Sequence, residues 1–105
     1  MKKLNFEEAK EKAIKDLRLH FENVYIPDGI DLLDDNFIRG KYFWIFFPNK
    51  NIIFSEKNWF EKQFCCCVIG EYGGTRYMRD LRNKPTELQK ALDGLAISHH
   101  PDNFK

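Results

Sequence analysis

No stretch of the sequence approaches the roughly eighteen consecutive apolar residues that a membrane-crossing helix needs. A dominant charge is missing as well: Lys and Arg total 17 against 16 Asp and Glu, for a net charge of +1. Nucleic-acid binders carry a basic bias or a basic face, so this balance argues against one. The cysteines do not form a spaced disulfide framework. All three sit in one run, Cys65-Cys66-Cys67, which suits a reducing compartment. Histidine is scarce, at three residues, and no phosphate-cradling glycine loop is visible. The opening Met1-Lys2-Lys3-Leu4-Asn5-Phe6 has the lysines of a signal peptide but no apolar segment behind them. The expectation is a cytoplasmic protein without a membrane partner.

What the sequence has is bulk for a core. Of 105 residues, 43% are hydrophobic and 15% aromatic, with ten Phe, enough to repay ordering entropy and argue against disorder. The length suits a single domain over residues 1–105, with an ordered core at about 4–95 and a flexible tail at 96–105. No repeat or low-complexity segment interrupts it.

Residues 5–22 read as an amphipathic helix. Phe6, Ala9, Ala13, Leu17 and Phe21 recur every three or four positions. Asn5 and Glu8 have the spacing of a capping box. Pro27-Asp28-Gly29 is a turn signal. A short strand is expected at residues 30–33, ended by Asp34-Asp35 and resumed at Phe37-Ile38, with Arg39-Gly40 as a break. The run Tyr42-Phe43-Trp44-Ile45-Phe46-Phe47 is apolar throughout, which marks a central strand covered on both faces. Ile52-Ile53-Phe54 reads as its hairpin return and residues 55–63 as a charged loop. Further strands are expected at 64–69 and 75–81 around Gly73-Gly74. Pro85 suits the first turn of a closing helix, with Gly94 as its terminator. The fold class is therefore α+β: an N-terminal amphipathic helix on a curved antiparallel sheet of about four to five strands, then a short C-terminal helix.

In this order of elements, the segment Asn36-Phe37-Ile38-Arg39-Gly40, the aromatic strand Phe43-Trp44-Ile45-Phe46-Phe47-Pro48-Asn49-Lys50 and the strand through Cys65-Cys66 and Val68-Ile69 before Gly73-Gly74 stand out. Together they resemble the immunity protein 35 family (YrhB-like) of small bacterial proteins over most of the chain, residues 5–92. The resemblance implies a protein that neutralises a cognate toxin, and it carries over no catalytic residue.

Candidate chemistry is sparse. Neighbouring strand residues point to opposite faces, so Cys65, Cys66 and Cys67 cannot together ligate one metal, and zinc sites favour gaps of about two to four residues. Buried core thiols are the favoured reading. A metal site with His99 or His100 and a reactive thiol are the alternatives. His99 and His100 read as part of a solvated tail. Arg39-Gly40-Lys41-Tyr42-Phe43-Trp44-Ile45-Phe46 partly echoes an RNA-recognition strand, but Lys41 falls where the first stacking aromatic belongs.

Asp28, Asp31, Asp34 and Asp35 lack the ligand alternation of a calcium loop. They read as a solvated turn or as an acidic contact surface for a basic partner. Trp59 and Phe60, in a charged stretch, either tuck against the core or serve as interface anchors; Tyr72 and Tyr77 are similar candidates. The composite expectation is a protein-binding module with no catalytic residue, cofactor, metal or nucleic-acid partner. With the resemblance it becomes an immunity protein that occludes its toxin. A general holdase and a small thiol-dependent enzyme are the alternatives, and an exposed edge strand could pair two copies.

Overall fold

The computed structural model describes residues 2–104. The first helix, α1 (Phe6–His20), starts where the cap pattern places it. Glu8 N donates to Asn5 Oδ1 at 2.8 Å, and Asn5 N donates to Glu8 Oε1 at 3.0 Å. Ala9, Ala13 and Leu17, four apart, are its buried residues, and the two alanines let the helix approach the sheet closely.

Four antiparallel strands follow: β1 (Leu33–Gly40), β2 (Phe43–Pro48), β3 (Cys66–Gly70) and β4 (Thr75–Met78), in spatial order β1-β2-β3-β4. With the short helix α2 (Trp59–Gln63) and the closing helix α3 (Pro85–Ser98), this is the expected α+β architecture. No helix among the described residues is long and apolar enough to cross a membrane.

The two central strands are buried on both faces, and their side chains alternate between two cores. Trp44, Phe46, Cys67 and Ile69 pack with Ala9, Ala13 and Leu17 of α1. Phe43, Ile45, Phe47, Cys66 and Val68 pack on the other side with Leu92, Leu95 and Ala96 of α3. The sheet thus lies between two helices. A period of two, apolar at every position, is what a strand covered on both faces requires.

Several expectations are corrected. Asp34 and Asp35 do not end a strand; both lie inside β1, where the register shifts between Leu33 and Phe37. Carboxylates are tolerated there because β1 is an edge strand. Gly40 pairs with Phe43 instead of breaking the chain, and Lys41-Tyr42 makes the turn, with Tyr42 at φ 75°. Ile52-Ile53-Phe54 is not a strand. Only Ile53 forms an isolated bridge, to Tyr25, because β1 and β3 already occupy both edges of β2. Most of residues 55–63 is helical: after Ser55, a single turn over Glu56–Asn58 leads into α2.

Gly94 does not terminate α3. The helix continues to Ser98, because Leu95 and Ala96 pack on the sheet. His99 leaves the expected solvated tail and is 3% exposed. Pro101–Phe104 forms a further turn whose Phe104 ring stacks on Tyr72 at 5.1 Å.

Two glycines seat two rings at the end of the sheet where β1–β2 and β3–β4 turn. A Cβ on Gly40 would fall inside the Phe43 ring, and one on Gly70 would collide with the His99 ring. The two rings meet at 5.7 Å, and His99 Nδ1 is fixed by the Leu95 carbonyl at 2.9 Å. Replacing Gly70 by alanine is expected to push His99 from its seat and to cost about 1–3 kcal/mol, the usual range for overpacking. Urea unfolding checks this. A loss restored when His99→Ala is added would confirm that the ring is the obstacle, and additive losses would refute it.

Arg39 ties the same end together. Its guanidinium lies 4.2 Å from the Trp44 ring centroid and bonds the Phe43 carbonyl at 2.9 Å and Glu71 Oε2 at 2.9 Å. Glu71 is buried, so its carboxylate needs this partner.

Candidate functional site

The end of the molecule beyond the C-terminus of α1 is built from three segments. His20, in the last turn of α1, donates from Nε2 to the Phe64 carbonyl at 2.9 Å. It stacks on Tyr77 at 4.0 Å and meets the edge of Phe60 at 6.0 Å. Asn58, 4% exposed, bonds Ser55 N and Oγ through Oδ1 and donates from Nδ2 to the Asn23 carbonyl. That side chain pins the α2 segment to the loop after α1. Ile53 N donates to the Tyr25 carbonyl at 3.4 Å and joins the third segment.

On this frame four large side chains stand out. Tyr25 is 64% exposed, Ile53 56%, Trp59 66% and Phe60 49%. Trp59 and Phe60 meet edge to face at 6.0 Å, so each braces the other. Exposed apolar residues are ordinary singly; here they come in two linked pairs, Trp59 with Phe60 by ring contact and Tyr25 with Ile53 by a backbone bridge.

The acidic residues lie along the adjoining loop (Asp28 and Asp31) and the start of β1 (Asp34 and Asp35). Asp28 lines a cleft of about 270 Å³ with Arg18, Ile26 and Pro27. Asp31, Asp34 and Asp35 line one of about 230 Å³ with Lys10 and Arg18. No ion pair closes across either cleft among the described residues, and Asp34 instead reaches Arg82 at 3.9 Å. The segment from Tyr25 to Asp35, a loop leading into β1, therefore runs from the aromatic surface into a strip of opposed charges.

The eight residues singled out from sequence thus fall in different places. Trp59 and Phe60 belong to the aromatic surface, and the four aspartates line the neighbouring clefts. Tyr77 lies under His20, with its hydroxyl donating to the Asp16 carbonyl at 3.0 Å; burial pushes its pKa up. Tyr72 is half-buried against Phe104 at the glycine-seated end. Sequence reasoning missed Tyr25 and Ile53. The one available signal was alternation, since Ile52 is buried and Ile53 exposed, but Ile52-Ile53-Phe54 is too short to show a period.

The cysteines resolve into two kinds. Cys66 and Cys67 are fully buried, on opposite faces of the sheet, while Cys65 is partly exposed. Burial pushes Cys67 up to about 12. Cys66 is raised by its hydrogen bond to Cys65, then by burial, and that same bond lowers Cys65. His20 and His99 are bonded to backbone carbonyls, and no histidine nitrogen is hydrogen-bonded to a cysteine sulfur among the described residues. Nor do any described residues form a group of three His, Cys, Asp or Glu able to hold a metal ion. Compared with models of known protein families, with curated proteins and with solved structures, the chain gives no match in any of the three.

Proposed function

We propose that this protein is a cytoplasmic protein-binding module, an immunity protein that neutralises a cognate bacterial toxin by occluding its active site. The observation that carries the binding role is the exposure of Tyr25, Ile53, Trp59 and Phe60, with Asp28, Asp31 and Asp35 following Tyr25 along the chain and forming no ion pair among the described residues. An aromatic centre beside a charged margin is the anatomy of a protein interface. The likeness of the strand and turn order to the immunity protein 35 family supports the choice of a toxin as partner. A basic catalytic groove would complement the aspartates and seat the aromatic anchors. Occlusion would need roughly 800 Å² from this side.

The test is co-purification and calorimetry with the product of the neighbouring gene. One saturable partner is expected, bound with a stoichiometry of one to one. Trp59→Ala is expected to weaken that binding by at least about thirtyfold, the loss of about 2 kcal/mol that defines an interface hot spot. Its urea midpoint should stay within error of the parent, because Trp59 is mostly exposed. Many weak clients in place of one partner would point to a holdase. An unchanged affinity in Trp59→Ala would remove the aromatic surface from the interface.

A further inference from the structure

Cys65 and Cys66 are neighbours whose thiols lie on the same side. In a regular strand consecutive side chains diverge, yet their sulfurs are 3.9 Å apart. Cys65 lies outside the regular strand: β3 begins only at Cys66, and Phe64 before it caps α2. Cys67 faces the α1 core, on the opposite face of the sheet from Cys66.

The two thiols differ in access. Cys65 is partly exposed and lines a cleft of about 320 Å³ with Lys50, Lys62 and Arg82. Arg82 is committed to Asp80 and Asp34, whereas neither lysine has an ion-pair partner among the described residues. Asp34 and Asp80 line the same cleft; the hydrogen bond from Cys66 lowers the Cys65 pKa, with burial and Asp80 opposing it, and the thiolate is the reactive form. Cys66 is 0% exposed.

We propose that Cys65 and Cys66 form a hydroperoxide-sensitive modification site, in which Cys65 is oxidised first and Cys66 resolves it as a vicinal disulfide. The Cys65 thiolate attacks one peroxide oxygen. The O–O bond breaks, Cys65 becomes a sulfenic acid, and hydroxide (or alkoxide) leaves. The Cys66 sulfur then attacks the Cys65 sulfur. The S–O bond breaks, the S–S bond forms, and the Cys66 proton departs with the hydroxyl as water. Two thiols lose two electrons and the peroxide gains them.

Burial selects this outcome over capture of a soft metal ion. An ion would have to wedge between the sulfurs inside the sheet, whereas bond formation draws them together. The disulfide would also be easy to reverse. Adjacent Cα atoms are about 3.8 Å apart, below the usual disulfide span of about 4.4–6.8 Å, and a strained bond is reduced readily.

The experiment treats the folded full-length protein with hydrogen peroxide. Free thiols are then blocked with a light alkylating reagent in denaturant, and the sample is reduced and blocked again with a heavy one. Before either blocking step, the expected product is monomeric and lighter by two hydrogens. Peptide sequencing should then place heavy label on Cys65 and Cys66 and light label on Cys67. In Cys66→Ser the sulfenic acid on Cys65 should persist, raising dimedone capture by about tenfold over the parent. Heavy label on Cys67, a disulfide-linked dimer, added oxygen on Cys65 with no disulfide, or three light cysteines would each overturn the proposal. The parent protein alone decides among these, so a misfolded variant cannot rescue it.

Discussion

Replacing Phe43 by alanine is expected to cost about 3–5 kcal/mol of folding stability, the range for deleting a buried aromatic ring. The residue is 0% exposed and holds three elements at once. Its ring covers Gly40 across the β1–β2 turn, meets His99 after α3, and packs in the core beneath α3. Typical domains have only about 5–15 kcal/mol in total, so the variant should sit near its unfolding midpoint in dilute buffer. Urea titration followed by circular dichroism measures the loss. Phe37→Ala is the control: Phe37 is also a strand phenylalanine but is 43% exposed on the edge strand, and it should cost less than half as much. Equal losses would show that β2 does not carry the core.

The second large effect is expected in alkali. The folded chain buries Cys67 and holds its proton up to about 12, against an ordinary value of 9.0. The unfolded chain therefore releases that proton first. The stability this provides is complete below pH 9 and is lost as pH rises from there to about 12. Over that window the loss from this one thiol is on the order of a few kcal/mol, since each tenfold change in proton affinity is worth about 1.4 kcal/mol. Burial of Tyr77 acts in the same direction. Unfolding free energies measured from pH 8 upward should fall steadily in the parent. They should fall less steeply in Cys67→Ala, which starts lower because of its small cavity but has no thiol there to ionise. A variant as steep as the parent would dismiss Cys67 as the cause.

Much of the fold was legible because local rules and tertiary packing agree. The Asn5 and Glu8 spacing dictated the start of α1, and both cap bonds form. The four-residue steps of Ala9, Ala13 and Leu17 set its buried face. Where reading failed, a distant neighbour held the deciding vote. Ile52-Ile53-Phe54 has strand composition, but both sides of β2, its expected hairpin partner, are taken by β1 and β3. Gly94 looks like a stop, but the sheet rewards four further helical residues and a buried His99. Asp34 and Asp35 look like a turn, but an edge strand leaves carboxylates in solvent.

The candidate surface was half legible for the same reason. Trp59 and Phe60 drew notice as large rings among charges. Tyr25 and Ile53 look like any strand residues until Asn58 binds the Asn23 carbonyl and brings their segments together.

By itself, then, the sequence determined which strands are interior. Phe43-Trp44-Ile45-Phe46-Phe47 and Cys66-Cys67-Val68-Ile69 have no polar side to offer water, so each must be covered twice. Only the tertiary structure decided what covers them, α1 on one face and α3 on the other, and which apolar residues remain uncovered. Apolar character is a property of one side chain, whereas burial is a relation between side chains far apart in the chain. A linear pattern specifies the need for a partner without naming it.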